Sequence, residues 1–122
     1  GHTAGHALEG YFLDKDAIDH GHAVALGMLV ESYVSMKRGL LSKPIFEEIE
    51  TVILDWFPIH ALENTDIQAI IQLLYHDKKN HSGKIYSCLL TGIGNCIYDQ
   101  QVDEKEFFEG FLYLMNRNVN LN

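Results

Sequence analysis

The chain opens with GHTAGHALE, residues 1–9, which places two histidines four residues apart in a segment that favours a helix. His2, His6 and Glu9 stand at positions i, i+4 and i+7, so a helix carries them on one face. A second pair, His20 and His22, begins the stretch HGHAVALGM at residues 20–28. Histidine is the commonest metal ligand and titrates nearest neutral pH. We therefore expect residues 1–22 to hold part of an active site and the rest of the chain to build its scaffold.

The spacing of these histidines leaves several arrangements open. His2 and His6 could both bind one metal, as i, i+4 pairs do in helical zinc sites, or one could bind the metal while the other acts on a substrate. His20 and His22 are too close in sequence to point the same way early in a helix, so we expect one to face the site. Spacing alone does not distinguish these arrangements from solvated histidines near a chain end.

Helical periodicity extends over most of the remaining chain. It predicts helices at about residues 3–11, 20–38, 44–57 and 104–116, and another that follows a capping box at 65–68 and ends near 77–79. The predicted inward positions include Met28 in the second helix and Val52 and Trp56 in the third. At residues 84–90 and 96–98 the residue pattern is instead that of β-strands, and a turn at 92–95 separates them. The sequence therefore predicts one mainly α-helical domain, residues 1–122, that carries one small β-hairpin.

Composition excludes several classes of protein. The net charge of −8 argues against nucleic acid and anionic lipid as partners. No apolar run approaches the ~20 residues of a membrane-spanning helix, and no signal peptide is visible, so we expect a cytoplasmic protein. Cys88 and Cys96 are interpreted as reduced thiols, with a disulfide across the hairpin as the alternative. The first residue is not methionine, which suggests a fragment or a processed product.

The remaining histidines and one lysine pair have less specific interpretations. His60 and His81 are typical of loops and turns, and His76 leads into DKK at residues 77–79. Lys78 and Lys79 either end a helix in solvent or hold an anionic group as mobile point charges.

Three segments, in order, resemble motifs of the 3-dehydroquinate synthase family. Residues 1–9 resemble its GHTxGHAxE motif, residues 20–28 resemble HGEAVAxGM, and residues 77–79, 83–84 and 89–94 resemble the DKK…G(K)…LLxxIG segment. The resemblance covers nearly the whole chain but only the C-terminal, mostly helical domain of that family.

The resemblance implies a fold and a set of roles. It implies the helical metal-binding domain of the dehydroquinate synthase-like fold, with His2 and His20 as ligands of a divalent metal, zinc or cobalt. It further implies a catalytic role for His6 beside the substrate and an anion contact from Lys78 or Lys79. The implied reaction belongs to the shikimate pathway and converts 3-deoxy-arabino-heptulosonate 7-phosphate to 3-dehydroquinate and phosphate, with transient oxidation by NAD.

Two departures from the family pattern qualify this implication. The family's third metal ligand, a glutamate, and its NAD site belong to an N-terminal domain that is absent here, so we expect the isolated chain to be inactive. His22 stands where the family has the glutamate of HGE. A related sugar-phosphate cyclase, a metal-dependent polyol dehydrogenase and a non-catalytic binding or assembly domain are the alternatives. The oligomeric state is open, with a homodimer as one option.

Overall fold

The computed structural model describes residues 2–13, 18–59, 67–75 and 84–121, with side chains as far as Arg117. Within these residues the chain forms five helices and one hairpin. The elements in chain order are α1 (His2–Phe12), α2 (His20–Lys37), α3 (Lys43–Trp56), α4 (Ile67–Leu74), β1 (Ile85–Gly92), β2 (Asn95–Val102) and α5 (Glu104–Leu121). The mainly α fold with a small hairpin, predicted from the sequence, is confirmed.

The second helix is the centre of the domain. It contacts α1, α3, α5 and β1, and Leu29 and Val30 in its middle are buried almost completely. The last helix crosses it closely at Gly110, where an added Cβ would lie 2.9 Å from a methyl carbon of Val30. Because α2 is covered on several sides, its apolar residues do not form the single stripe of a surface helix.

Side-chain caps mark the start of α3 and of α5. Ser42 accepts a hydrogen bond from the Ile45 backbone N–H at the start of α3. Asp103 and Glu106 form the reciprocal hydrogen bonds of a capping box at the start of α5. Asp19 occupies the N-cap position of α2, but its side chain makes no capping hydrogen bond.

The hairpin is longer than predicted, because β2 continues to Val102. Its two strands pair in antiparallel fashion with two irregularities in register, and Asp99 within β2 has a positive φ of 52°. The hairpin is tied to α2 where the Ser35 hydroxyl accepts the Leu90 N–H at 3.0 Å. That contact ties β1 to the helix that begins with His20.

Three predicted core positions are wrong. Met28 is 43% exposed, Val52 57% and Trp56 77%. The third helix is instead buried along Phe46, Glu50 and Ile53. Periodicity identifies an apolar face, but it does not say how far the neighbouring elements extend over that face. None of the helices in the described part of the chain combines the length and apolarity needed to cross a bilayer.

Candidate metal centre

The first two helices cross in backbone contact at Gly5. An added Cβ on Gly5 would lie 2.9 Å from the Cα of Val24 and 3.0 Å from the carbonyl oxygen of Ala23. Both distances are shorter than an ordinary carbon contact of ~3.5–4.0 Å. A glycine at this position therefore allows the exposed face of α1 to lie beside the first turn of α2.

This crossing brings three imidazoles together. The ring centres of His2 and His6 are 5.5 Å apart, those of His2 and His20 are 5.5 Å apart, and those of His6 and His20 are 5.7 Å apart. A point equidistant from the three centres lies about 3.2 Å from each, close to a ~2.0–2.1 Å zinc–nitrogen bond plus the ~1.1 Å from a ring nitrogen to the ring centre. The triangle of ring centres therefore has the spacing of imidazoles around one ion. Among the described residues, however, the group of ligand atoms that converge to within 4.8 Å comprises His6, Glu9 and His20 and does not include His2.

A carboxylate lies beside the triangle. The Oε1 atom of Glu9 is 3.0 Å from the Nδ1 of His20. Among the described residues, potential ligand atoms of His6, Glu9 and His20 all lie within 4.8 Å of one another. Imidazole nitrogens and a carboxylate oxygen are the donors that zinc takes in proteins, and imidazole also suits other first-row metals. The donor set therefore fits a divalent transition metal.

The two histidines at the start of α2 point in different directions, as their separation of two residues predicts. The Nε2 of His22 lies 2.9 Å from the carbonyl oxygen of Pro58, and its ring contacts Phe57 edge-on. His20 faces the triangle instead. His22 thus connects the start of α2 to the end of α3.

The buried carboxylate of Glu31, on α2, accepts a hydrogen bond from the backbone of α1. The Glu31 side chain is 3% exposed and accepts the backbone N–H of Ala4 at 3.3 Å. This N–H belongs to the first turn of α1, where backbone donors have no partner within the helix. Glu31 therefore helps to fix the turn that carries His2.

The hairpin forms the other wall of the site. A cavity of about 210 Å³ lies between α1 and the strands and is lined by His2, Thr3, Tyr86, Ser87, Cys88, Tyr98 and Asp99. A second cavity, of about 240 Å³, is lined by His2, Val24, Met28, Glu31, Cys88, Leu90 and Cys96. His2 lines both cavities, so a ligand in either one would contact this imidazole.

Both cysteines are free and partly buried. Burial, followed by a hydrogen bond with Cys96, raises the pKa of the Cys88 thiol to about 11. The Tyr98 hydroxyl donates a hydrogen bond to Cys96, and this bond raises the pKa of Tyr98. A cysteine binds a metal as its thiolate, and with this raised pKa the Cys88 thiol is neutral at pH 7.

The sequence-predicted site residues divide into two groups. His2, His6 and His20 are brought together. Lys78 and Lys79, with His76 and His81, lie outside the described residues, as does His60.

Two carboxylates of this site received no role from the sequence alone. Glu9 shares the histidine face of α1 in the i, i+7 pattern, and that pattern could have identified it. Glu31 is a lone acidic residue within an apolar stretch of α2, which is the signal of a buried, hydrogen-bonded charge.

Comparison with known proteins identifies a family. The protein family described as "3-dehydroquinate synthase C-terminal" matches residues 1–80. A 3-dehydroquinate synthase of Parabacteroides distasonis is 36% identical over 110 residues, which are 89% of this chain and 31% of that protein. One from Picrophilus torridus is 41% identical over 95 residues, 77% of this chain and 27% of that protein. The chain therefore spans about a third of the length of these relatives.

Solved structures share the fold at lower identity. A 2-deoxy-scyllo-inosose synthase, complexed with carbaglucose-6-phosphate, NAD⁺ and Co²⁺, has a TM-score of 0.74 at 22% identity and covers 88% of this chain and 32% of its own. A 2-epi-5-epi-valiolone synthase from Streptomyces hygroscopicus, with NAD⁺ and Zn²⁺ bound, has a TM-score of 0.72 at 22% identity and covers 93% and 32%. At this level of identity the likeness concerns the fold.

Proposed function

The chain belongs to the 3-dehydroquinate synthase family through its match to the C-terminal domain, and we propose that it supplies half of that active site. In this proposal the full-length enzyme converts 3-deoxy-arabino-heptulosonate 7-phosphate to 3-dehydroquinate and phosphate. The observation that carries the proposal is the triangle of His2, His6 and His20, because the family motifs and the crossing of α1 and α2 meet at these three side chains.

His2 and His20 are proposed as metal ligands, and His6 as the catalytic histidine. A divalent metal bound there would act as a Lewis acid toward a substrate hydroxyl, favouring its deprotonation and stabilising the oxyanion that deprotonation leaves. His6 places a third ring beside the same point, where one of its nitrogens can hold or release a proton on the substrate. Lys78 and Lys79 are proposed to contact the anionic substrate, one of them directly.

The rest of the site is proposed to come from the part of the relatives that this chain does not match. NAD and one carboxylate ligand would be held by that N-terminal domain. Two histidine ligands leave a zinc ion short of the three protein ligands usual in catalytic sites. We therefore propose that the 122 residues alone bind metal weakly and do not turn over substrate.

Phosphate release tests this proposal. The full-length gene product that contains this chain, supplied with NAD and Co²⁺ or Zn²⁺, is expected to release phosphate from the heptulosonate phosphate. His2→Ala and His20→Ala are expected to lose both bound metal and activity, whereas His6→Ala keeps the metal and loses rate. His22→Ala is the matched histidine control, because it leaves the triangle intact and should retain the metal.

Two results would contradict this assignment. Unchanged metal content in both His2→Ala and His20→Ala, measured by elemental analysis, would refute the ligands. Loss of metal in His6→Ala would show that the ligand and catalytic roles are exchanged.

A related sugar-phosphate cyclase activity is the second candidate. A 2-deoxy-scyllo-inosose synthase and a 2-epi-5-epi-valiolone synthase share the fold of this chain, so the fold is compatible with this second activity. Phosphate release from other sugar phosphates, without release from the heptulosonate phosphate, would select this candidate over the first.

A further inference from the structure

We infer that Glu9 is a positioning residue for the proposed metal centre: its carboxylate holds the Nδ1 side of His20 so that Nε2 faces the metal. This inference rests on the proposed function, because it assumes that His20 is a ligand. It concerns a residue of this chain that lies outside the proposed ligand set.

The contact joins two helices at the point where one of them begins. Glu9 lies on α1, on the same face as His2 and His6, and its Oε1 atom is 3.0 Å from the Nδ1 of His20. His20 is the first residue of α2, and its side chain is 54% exposed. With so little packing around it, this imidazole needs a polar partner to keep one orientation.

The chemistry of imidazole explains what the contact does. A neutral ring has one N–H donor and one nitrogen that can accept or bind a metal. When Nδ1–H donates to Glu9, the lone pair is on Nε2, which is the nitrogen left for the metal. Histidine ligands usually make such a hydrogen bond to a carboxylate or carbonyl, and its loss typically costs ~10–100-fold in metal affinity.

The backbone contact between α1 and α2 keeps the Glu9 carboxylate beside the His20 ring. The Glu9 side chain is 34% exposed, compared with 54% for the side chain of His20. One turn earlier on α1, Gly5 lies against the backbone of Ala23 and Val24. This contact fixes the distance between α1 and α2, so the carboxylate meets the ring without a rearrangement of either helix.

A direct ligand role for Glu9 is the competing arrangement, since Glu9 also belongs to the group with His6 and His20. The hydrogen bond favours positioning, because Oε1 is already within hydrogen-bond distance of Nδ1. The two roles respond differently to Glu9→Gln. A glutamine keeps a carbonyl oxygen that can accept from Nδ1–H, but it loses the charge that makes a carboxylate a good ligand.

Cobalt titration of the full-length gene product separates these roles. Co²⁺ affinity and the visible absorption of the bound ion are measured for wild type, Glu9→Ala and Glu9→Gln, with far-UV circular dichroism as the check on folding. Glu48→Ala is the matched control, an exposed glutamate of α3. We expect Glu9→Ala to bind Co²⁺ about 10–100-fold more weakly, Glu9→Gln to recover most of that loss, and Glu48→Ala to match wild type. The absorption bands should keep their positions throughout.

Three other results of the titration would each contradict the positioning role or the proposed metal centre. Wild-type affinity in Glu9→Ala would overturn the positioning role while leaving the proposed function intact. Equal losses in both Glu9 variants, with shifted absorption bands, would make Glu9 a ligand and also overturn the positioning role. No Co²⁺ binding by the wild-type protein would overturn the proposed metal centre itself.

Discussion

Replacing Gly5 with alanine should separate the two helices that form the site. The new Cβ would meet three backbone atoms of α2, the nearest at 2.9 Å and the others at 3.0 and 3.2 Å. Backbone atoms cannot rotate away, so α2 must move by roughly 0.5–1 Å to reach ordinary contact distances. Such overpacking typically costs ~1–3 kcal/mol, against which alanine gains about 1 kcal/mol of helix propensity.

Gly10→Ala provides a control in the same helix. Its Cβ would lie 3.5 Å from a methyl carbon of Leu73, which is an ordinary contact. This substitution should therefore be neutral or stabilise by up to ~1 kcal/mol through helix propensity alone. We expect the free energies of unfolding of the two variants to differ by about 2 kcal/mol, with Gly5→Ala the less stable.

Urea denaturation followed by circular dichroism measures this difference, and Co²⁺ titration of the same proteins measures its effect on the site. Gly5→Ala should also bind Co²⁺ more weakly, because α2 carries His20 away from α1 as it moves. Equal stability and equal Co²⁺ affinity in the two glycine variants would refute the argument that this close crossing builds the site.

Three further predictions concern the scaffold. Glu106→Gln should lower the free energy of unfolding by about 1–2 kcal/mol at pH 7, since it weakens a charge-assisted pair with Arg38; the bonds are 2.5 and 2.7 Å long. Arg38 lowers the pKa of the Glu106 carboxyl from its ordinary 4.5, so this contribution is present above pH 4.5 and is lost as the pH falls through the lower, folded-state value. Ser35→Ala should lower the free energy of unfolding by ~0.5–1.5 kcal/mol in urea denaturation, because the partly buried Leu90 N–H loses its acceptor. The Cys88 thiol, with its pKa raised from 9.0 to about 11, should react with iodoacetamide at pH 8 about 100-fold more slowly than an unperturbed thiol, and normally once unfolded in urea.

Each of these scaffold predictions has a contradicting result. A stability loss in Glu106→Gln that is the same at pH 3 and pH 7 would contradict the ion pair. A neutral Ser35→Ala would show that another group satisfies the Leu90 N–H. Fast alkylation of Cys88 in the folded protein would contradict its burial.

Local signals in the sequence predicted most of the fold. The capping box of Asp103 and Glu106 and the cap at Ser42 mark helix starts, because they depend on residues three apart. The alternating pattern found β1, but it placed the end of β2 too early. The return strand is more exposed and contains a residue with positive φ, Asp99, and both features weaken a periodic signal.

Tertiary arrangement explains what the sequence missed. Glu50 looks like a surface residue of an amphipathic helix, yet it is buried and accepts a hydrogen bond from the Tyr113 hydroxyl, with Arg117 nearby. Trp56 looks like a core residue and is exposed. Each outcome depends on which element lies opposite α3, and helical period carries no information about that neighbour.

The candidate site also depends partly on local spacing and partly on tertiary arrangement. Helical spacing was enough to put His2, His6 and Glu9 on one face of α1. It could not bring His20 to that face, because the contact depends on how α1 crosses α2 at Gly5. The family resemblance supplied the connection from motifs alone, but the hydrogen bond between Glu9 and His20 became visible only in the structure.

The position of the metal tests the central claim most directly. Crystals of the full-length gene product grown with Co²⁺ should give an anomalous difference peak at the cobalt absorption edge, between the first turns of α1 and α2. We predict that the peak lies ~2.0–2.2 Å from a ring nitrogen of His2 and from the Nε2 of His20. A peak elsewhere in the molecule, or none at full Co²⁺ loading, would contradict the metal centre proposed for this chain.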